Sequence, residues 1–212
     1  MQPRGSTSLR LGLVAAVAYF VAHACGWSSL ALVTKPLPAL CLFAFLLPVR
    51  NRDGALIAGG LVLSALGDLL LEASPALFLP GLVAFLLAHV AYVAAYLGRT
   101  RALHLGRLVP VALFTGFGFT QLEPHLGAMR APVLAYVVVI TVMVWRAAAQ
   151  IGEDRTGELR PWLATSGALM FAVSDLMVGW SRFVDPDAGL KLPLMLLYWG
   201  GQTLIAASTR RD

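Results

Sequence analysis

Two carboxylic acid side chains lie inside runs of apolar residues that are long enough to cross a membrane. Asp68 lies in the first of these runs, and Asp175 lies in the second, within residues 170–180. A charged side chain at the centre of a bilayer costs about 3 kcal/mol on insertion scales, so it is rare there without a function or a partner. Two such carboxyl groups can divide the roles of general acid and general base, and we predict that both are catalytic. The structural alternative is that each carboxyl group, protonated or paired, bridges neighbouring helices.

The residues around the two acids resemble each other. Asp68 occurs in the segment ALGDLL and Asp175 in the segment AVSDLM, and the acid holds the same place in each. The similarity is short, and it suggests that the chain consists of two related halves.

Two successive apolar segments, joined by a short loop at Ser74 and Pro75, each carry a stripe of polar and aromatic residues. Residues three or four positions apart share one face of a helix. The stripe on the first segment comprises Ser64, Asp68, Leu71 and Glu72. The stripe on the second segment comprises Phe85, His89, Tyr92 and Tyr96. Polar stripes on adjacent antiparallel helices predict a lined cavity inside a helix bundle.

Several candidate side chains also have ordinary structural interpretations. Lys35 can extend its ammonium group to the membrane surface, or it can contact a phosphate or carboxyl group of a ligand. His89 can bridge two helices, and Tyr92 and Tyr198 suit an aromatic belt or packing as well as ligand binding. No three histidines have the spacing of a zinc site, so we predict no metal ion. The sequence also contains no GxSxG elbow and no P-loop.

The composition is that of a membrane protein. Of the 212 residues, 58% are hydrophobic and only 13% are charged, and the mean hydropathy is +0.77. This length accommodates about eight spans of roughly 20 residues and leaves no room for a soluble domain. Arginines at helix ends explain the net charge of +5, so we expect no nucleic acid partner. We predict an all-α membrane protein: a bundle of eight transmembrane helices that forms a single domain over residues 1–212.

The apolar runs give approximate bounds for the eight spans. They are residues 11–27, 30–49, 54–71, 77–97, 108–122, 128–149, 161–180 and 192–207. Lys35 and Pro36 fall in the first turns of the second span, where proline is tolerated because first-turn amides lack helical partners. The fifth and sixth spans carry no charged residue in their cores, and we predict that they act as scaffold.

The basic residues define the orientation of these spans. With the N terminus in the cytoplasm, the inner segments hold 12 of the 16 arginines and lysines. The outer segments hold only Lys35, Arg130, Arg182 and Lys191. Because basic residues concentrate in cytoplasmic loops, this bias predicts that both termini lie in the cytoplasm. Abundant Arg, Ala and Leu are typical of a GC-rich bacterial genome, so we expect the inner membrane of a bacterial cell.

This topology places the unusual polar groups at related depths. Asp68 and Asp175 lie near the outer ends of the third and seventh spans, and Lys35 lies on the same side. His89 and Gln202 lie near the middle of the membrane. We predict that these groups converge on one cavity biased toward the outer side, with the two carboxyl groups roughly 5–10 Å apart, as in enzymes that use two carboxyl groups.

Short motifs occur in five of the eight predicted spans. They are Lys35-Pro36-Leu37, Gly67-Asp68 with Leu71, Phe78, Gly81, Phe85, Ala88-His89 and Tyr92, Ser174-Asp175, and Tyr198 with Gln202-Thr203-Leu204-Ile205. In this order along the chain they resemble the YhhN/TMEM86 family of integral membrane proteins, whose characterised members are lysoplasmalogenases.

The resemblance implies an ether hydrolase of eight helices that cleaves the vinyl ether bond of lysoplasmalogens. Its products would be a fatty aldehyde and glycerophosphoethanolamine or glycerophosphocholine. The substrate would be a lysophospholipid taken from the lipid bilayer, and the reaction would need no cofactor.

The resemblance also implies roles for individual residues. Protonation of a vinyl ether at carbon gives an oxocarbenium ion, and glycosidases handle a related cation with two carboxyl groups. Asp68 and Asp175 would divide those roles in an order that the sequence leaves open. Lys35, with Arg182, would hold the phosphate, and Ser174 is a further substrate-binding candidate. The residues that would orient water or the ether oxygen are His89, Tyr92, Tyr198 and Gln202.

Two other functions fit the same residues. In a small proton-coupled transporter, Asp and His groups within the membrane act as proton relays, and the possible half-repeat suits such a protein. The other alternative is a noncatalytic lipid-binding or sensory membrane protein. An enzyme turns over its substrate in detergent, whereas transport needs two compartments.

Overall fold

The computed structural model describes residues 3–153 and 159–209, and within these ranges its regular structure is entirely helical. The α-helices are α1 (Pro3–Ala24), α2 (Ser28–Thr34), α3 (Leu37–Leu46), α4 (Arg52–Ala73), α5 (Phe78–Arg99), α6 (Leu105–Leu122), α7 (Arg130–Ala148), α8 (Leu159–Phe183) and α9 (Lys191–Ala207). Short 3-10 turns precede α5 and α7. The predicted all-α fold is confirmed.

Seven helical segments in the described ranges are long and apolar enough to span a membrane. Together α2 and α3 form one of these segments, Ser28–Leu46, and α9 is not among the seven. With 17 residues α9 is about 25 Å long, whereas the hydrocarbon core of a bilayer is about 30 Å thick. The chain is an integral membrane protein, as its composition predicts.

The second predicted span is not one continuous helix. Lys35 and Pro36 separate α2 from α3, so they lie in the middle of the span rather than in its first turns. The Lys35 N–H still donates to Ala31 O at 3.0 Å. Pro36 and Pro38 have no N–H to donate, and two missing donors within three residues interrupt the helical hydrogen bonding. The Lys35 side chain therefore leaves the chain at a break between two short helices.

Four other helices have a proline in the first turn, whereas Pro110 lies inside α6. A proline is the third residue of four helices, namely Pro80 in α5, Pro132 in α7, Pro161 in α8 and Pro193 in α9. First-turn N–H groups have no partner within the helix, so these prolines cost no hydrogen bond. At the start of α4, the Asn51 side chain accepts a hydrogen bond from Gly54 N–H at 2.9 Å and caps the helix that carries Asp68.

The described chain forms two compact units, and the division falls within α5, after Ala95. The N-terminal unit contains α1 to α4 and most of α5. The C-terminal unit begins at Tyr96 and contains α6 to α9. Asp68 belongs to the first unit and Asp175 to the second. The single domain over residues 1–212 stays a prediction.

In the N-terminal unit, glycines bring α4 and α5 close together. A Cβ atom on Gly67 would lie 2.6 Å from the Phe85 ring, and a Cβ atom on Gly60 would overlap the ring of Tyr92. The absence of side chains at these two positions lets aromatic rings of α5 pack against the backbone of α4. α1 packs against α2 and α3, and α3 packs against α4. These contacts bring α1, the break after α2, and α4 into one core.

In the C-terminal unit, α8 and α9 touch through their backbones. A Cβ atom on Gly167 would lie 2.6 Å from Gly201 O, and one on Gly201 would lie 2.7 Å from Gly167 O. Close contact between small residues is a common mode of helix packing in membranes. α7 packs against both α6 and α8. The helix that carries Asp175 is thus packed between α7 and α9.

A buried arginine holds the loop between α5 and α6. Arg146, on α7, is 1% exposed and donates hydrogen bonds to Thr100 O at 2.5 Å and to Ala102 O at 2.7 Å. Arg107 donates to Ala148 O at 2.8 Å. These guanidinium groups pair with carbonyl oxygens, so part of the basic charge near this loop stabilises the fold.

Candidate functional site

A buried ion pair joins the break in the second span to α4. Lys35 Nζ lies 3.0 Å from Glu72 Oε2, and the two side chains are only 8% and 16% exposed. The Tyr19 hydroxyl, on α1, donates to the same Glu72 oxygen at 3.4 Å. One carboxylate oxygen of α4 thus accepts hydrogen bonds from two other elements. Because a charge in this setting is stable only with a partner, the pair holds both side chains in place.

Asp68 lies one helical turn before Glu72 on α4. Its side chain is buried, at 2% exposure, and the fully buried Ser64 lies one turn further back. Tyr19, whose hydroxyl contacts Glu72, is fully buried as well. The predicted stripe of Ser64, Asp68 and Glu72 therefore faces the interior of the N-terminal unit. Together with Lys35 and Tyr19 these residues form a group that we name the α4 cluster.

His89 and Tyr92 are buried in the same unit. Both side chains are 0% exposed, and their ring centroids lie 6.4 Å apart in an edge-to-face arrangement. The Tyr92 ring packs against Gly60 of α4. The predicted stripe of α5 thus faces protein rather than lipid.

Asp175 has a hydroxyl group as its partner in the C-terminal unit. The Tyr136 hydroxyl, on α7, donates to Asp175 Oδ2 at 2.8 Å. The Tyr136 side chain is 7% exposed, whereas Asp175 is half-buried. The sixth span therefore carries a residue that touches a candidate catalytic carboxyl group, and its prediction as scaffold was incomplete.

The other candidates of this unit surround a packed aromatic pair. Gln202 Nε2 donates to the Tyr198 hydroxyl at 3.1 Å, and both residues are buried. The Tyr198 ring meets Phe171 of α8 edge to face, with centroids 5.2 Å apart. Ser174 is 1% exposed, and its hydroxyl donates to Phe171 O at 2.8 Å. The Ser174 proton is therefore engaged by its own helix, while its oxygen is still able to accept a hydrogen bond.

Three residues that contact the candidates were given no catalytic or substrate-binding role by sequence reasoning, although Glu72 belongs to the polar stripe that predicts a lined cavity. Glu72 had a visible signal, because it is an acid four residues after Asp68 in an apolar run. Tyr19 and Tyr136 had none, because a tyrosine in an apolar helix is compatible with ordinary packing. Within the part of the chain that the structure describes, no group of three His, Cys, Asp or Glu side chains is arranged to hold a metal ion. The shared cavity for both carboxyl groups stays a prediction.

The sequence match to known proteins covers the same helices. Residues 30–209 match the YhhN family, which includes every candidate residue from Lys35 to Gln202. This chain belongs to the YhhN family. The family assignment confirms the resemblance that the motifs indicate.

Several curated relatives of this chain are named lysoplasmalogenase. The chain is 36% identical to human lysoplasmalogenase TMEM86B over 185 residues, which is 86% of this chain and 76% of that protein. It is 37% identical to human lysoplasmalogenase TMEM86A over 186 residues, 82% of this chain and 75% of that protein. A lysoplasmalogenase of Mycobacterium bovis is 35% identical over 166 residues, 74% of this chain and 61% of that protein. No solved structure gives a significant match to this YhhN-family chain.

Proposed function

We propose that this YhhN-family protein is a lysoplasmalogenase, a hydrolase that cleaves the vinyl ether bond of lysoplasmalogens. The observation that carries the proposal is the identity of 36–37% to two human lysoplasmalogenases over about three quarters of their length. The products are a fatty aldehyde and glycerophosphoethanolamine or glycerophosphocholine.

The reaction consumes one water molecule and otherwise consists of proton transfers. A general acid protonates the vinyl carbon that does not bear oxygen, and the positive charge then spreads over the neighbouring carbon and the ether oxygen. Water attacks that carbon and gives its proton to a general base. The resulting hemiacetal gives up its hydroxyl proton as the bond to the glycerol oxygen breaks, and that oxygen takes up a proton as the aldehyde forms. No electron is lost or gained, so acid and base groups suffice.

Asp68 and Asp175 are the residues that we assign to these transfers. Both are carboxyl groups in apolar helices: Asp175 accepts a hydrogen bond from Tyr136, and Asp68 is buried one helical turn before Glu72. One acts as the acid, and the other acts as the base or stabilises the cation, as in enzymes that cleave glycosides. The order of the two roles is left open.

The remaining candidates bind the substrate in this proposal. Lys35 binds the phosphate, and Glu72, at 3.0 Å from Nζ, holds the ammonium group in place. The aromatic and amide groups orient water, the ether oxygen or the alkenyl chain. They are His89, Tyr92, Ser174, Tyr198 and Gln202.

The proposal includes eight transmembrane helices with both termini in the cytoplasm of a bacterial cell. The distribution of arginines supports the orientation, and α9 supplies the eighth span. A helix of about 25 Å can cross if its flanking residues extend to the surface or the bilayer thins locally.

Cysteine labelling tests this topology on two exposed loops of the C-terminal unit. We expect Arg101→Cys to resist an impermeant thiol reagent applied to intact cells, and Asp187→Cys to react. The loops before α6 and before α9 lie on opposite sides of the membrane in this topology. Cys25 and Cys41 are first replaced by Ala, and permeabilised cells give the total reactivity. Efficient labelling of Arg101→Cys in intact cells contradicts the orientation.

The activity is tested with three lysolipids that differ only in the linkage of the chain. Purified protein in detergent should release fatty aldehyde from the vinyl ether and leave the alkyl ether intact, because only the vinyl ether forms an oxocarbenium ion on protonation at carbon. The matched ester controls for lysophospholipase activity. If no aldehyde is released in detergent and lysolipid is taken up into sealed vesicles, the protein is a transporter and not a hydrolase.

A further inference from the structure

Tyr136 lies in a buried stripe on α7, and its neighbours one turn away on that stripe are apolar. The stripe follows the helical repeat through Val133, Tyr136, Ile140, Met143 and Ala147, and all five residues are 7% exposed or less. The phenol ring of Tyr136 is therefore enclosed by packing, whereas the hydroxyl is directed to the carboxyl group of Asp175 on the adjacent α8. A tyrosine in such a stripe needs a partner for its hydroxyl when it is buried, and here the partner is a candidate catalytic acid.

We infer that Tyr136 is a positioning residue that fixes the orientation of the Asp175 carboxyl group for its part in the reaction. This inference rests on the proposed function. Tyr136 acts through Asp175 and does not itself touch the substrate.

The geometry of the hydrogen bond supports this positioning role. The phenol donates its single proton to Oδ2 at 2.8 Å, the usual length for an O–H···O bond. A carboxyl group turns about its last bond, and a donor on one oxygen stops that rotation and aims the other oxygen in one direction. Proton transfer depends on this orientation, because a catalytic group misplaced by about 1 Å can lower the rate roughly 100-fold.

A second hydrogen bond stabilises the helix that carries Tyr136. The Thr141 hydroxyl, one turn further along α7, lies 2.7 Å from the Thr115 hydroxyl of α6. This contact anchors α7 to a helix that does not carry Asp175. It offers a matched control, because its loss affects α7 packing without removing the contact to the acid.

The test replaces Tyr136 by Phe and measures kcat and KM for a vinyl ether lysolipid with the full-length protein in detergent. The change removes one oxygen and keeps the ring. We expect kcat to fall about 10- to 100-fold, the range for a hydrogen bond to a charged group, with KM within about twofold of wild type. Thr141→Val should leave kcat unchanged even if it lowers the thermal midpoint.

A double-mutant cycle distinguishes positioning from a general loss of stability. If Tyr136 acts through Asp175, Tyr136→Phe should cause no further loss of kcat in the Asp175→Asn background. Independent losses that multiply in the double variant would overturn the inference. If Tyr136→Phe does not fold, 4-fluorophenylalanine at position 136 fills nearly the same volume but has no hydrogen to donate; an unchanged kcat with this residue would equally overturn the inference.

The same experiment separates two kinds of failure. Wild-type turnover together with a normal kcat of Tyr136→Phe overturns the role of Tyr136 and leaves the hydrolase intact. An active-site role is also excluded if Tyr136→Phe and Thr141→Val lose activity and thermal stability in parallel. A wild-type protein that releases no aldehyde overturns the hydrolase and this inference together.

Discussion

Asp68→Asn and Asp175→Asn should each reduce kcat for vinyl ether hydrolysis by about 10²- to 10⁴-fold while the protein stays folded in the membrane. Asn keeps the shape and polarity of Asp but can neither deliver nor accept the proton, and loss of a general acid or base has an effect of this size. Asp187→Asn, in an exposed loop, is the matched control and should retain wild-type turnover. The measurement is aldehyde release per folded molecule, with the folded fraction taken from size-exclusion chromatography.

The double variant adds a sharper criterion. The losses of rate caused by removing an acid and a base that act in one reaction are not additive. The double variant Asp68→Asn with Asp175→Asn should therefore be little slower than either single variant. A structural role predicts a different pattern, in which both Asn variants lower the thermal midpoint but the surviving protein turns over normally. Wild-type kcat in well-folded Asn variants would show that the two carboxyl groups hold helices together and that the chemistry lies elsewhere.

Lys35→Met should destabilise the protein by about 3 kcal/mol, because it leaves Glu72 as a largely buried charge without its ammonium partner. The same variant should raise KM while kcat holds, since a phosphate contact made equally in the ground state and the transition state affects binding alone. Lys191→Met is the matched control, as it removes the other lysine at the partly exposed start of α9. Thermal unfolding in detergent and steady-state kinetics measure the two effects.

The pair itself is tested by removing both charges. Lys35→Met with Glu72→Gln should be more stable than Lys35→Met alone, because no unpaired charge is left between α2 and α4. Head-group binding should still be weakened in this double variant. A Lys35→Met protein with wild-type stability and wild-type KM would contradict both roles of the ion pair.

The sequence alone determined the class of protein and the positions of most helices. Hydropathy and helical periodicity are local properties, so they predicted membrane-spanning helices close to those observed, including the helix ends near Leu122 and Ala207. They also selected Asp68 and Asp175 as candidate catalytic residues, because the free-energy cost of a carboxyl group in hydrocarbon can be read from the apolar residues around it. Ordered short motifs were enough to indicate the YhhN family.

The break in the second span shows where local rules gave the wrong position. Proline is tolerated in a first turn, and the apolar run placed Lys35 and Pro36 there. The helix in fact begins at Ser28, so the same residues fall in its middle and interrupt it. Proline is tolerated in the first turn and disrupts the interior of a helix. The position of the helix start decided which of these two effects Pro36 has.

Only the tertiary structure decided the partners of the charged groups. Glu72 meets a lysine 37 residues away, and Asp175 meets a tyrosine 39 residues away, through helices whose faces are selected by packing. A sequence pattern shows which face of a helix is polar, but the neighbour of that face depends on the contacts of the whole bundle. A tyrosine in an apolar run is equally suited to packing and to holding an acid. Its role became visible only when α7 packed against α8 and placed the Tyr136 hydroxyl 2.8 Å from the Asp175 carboxyl group.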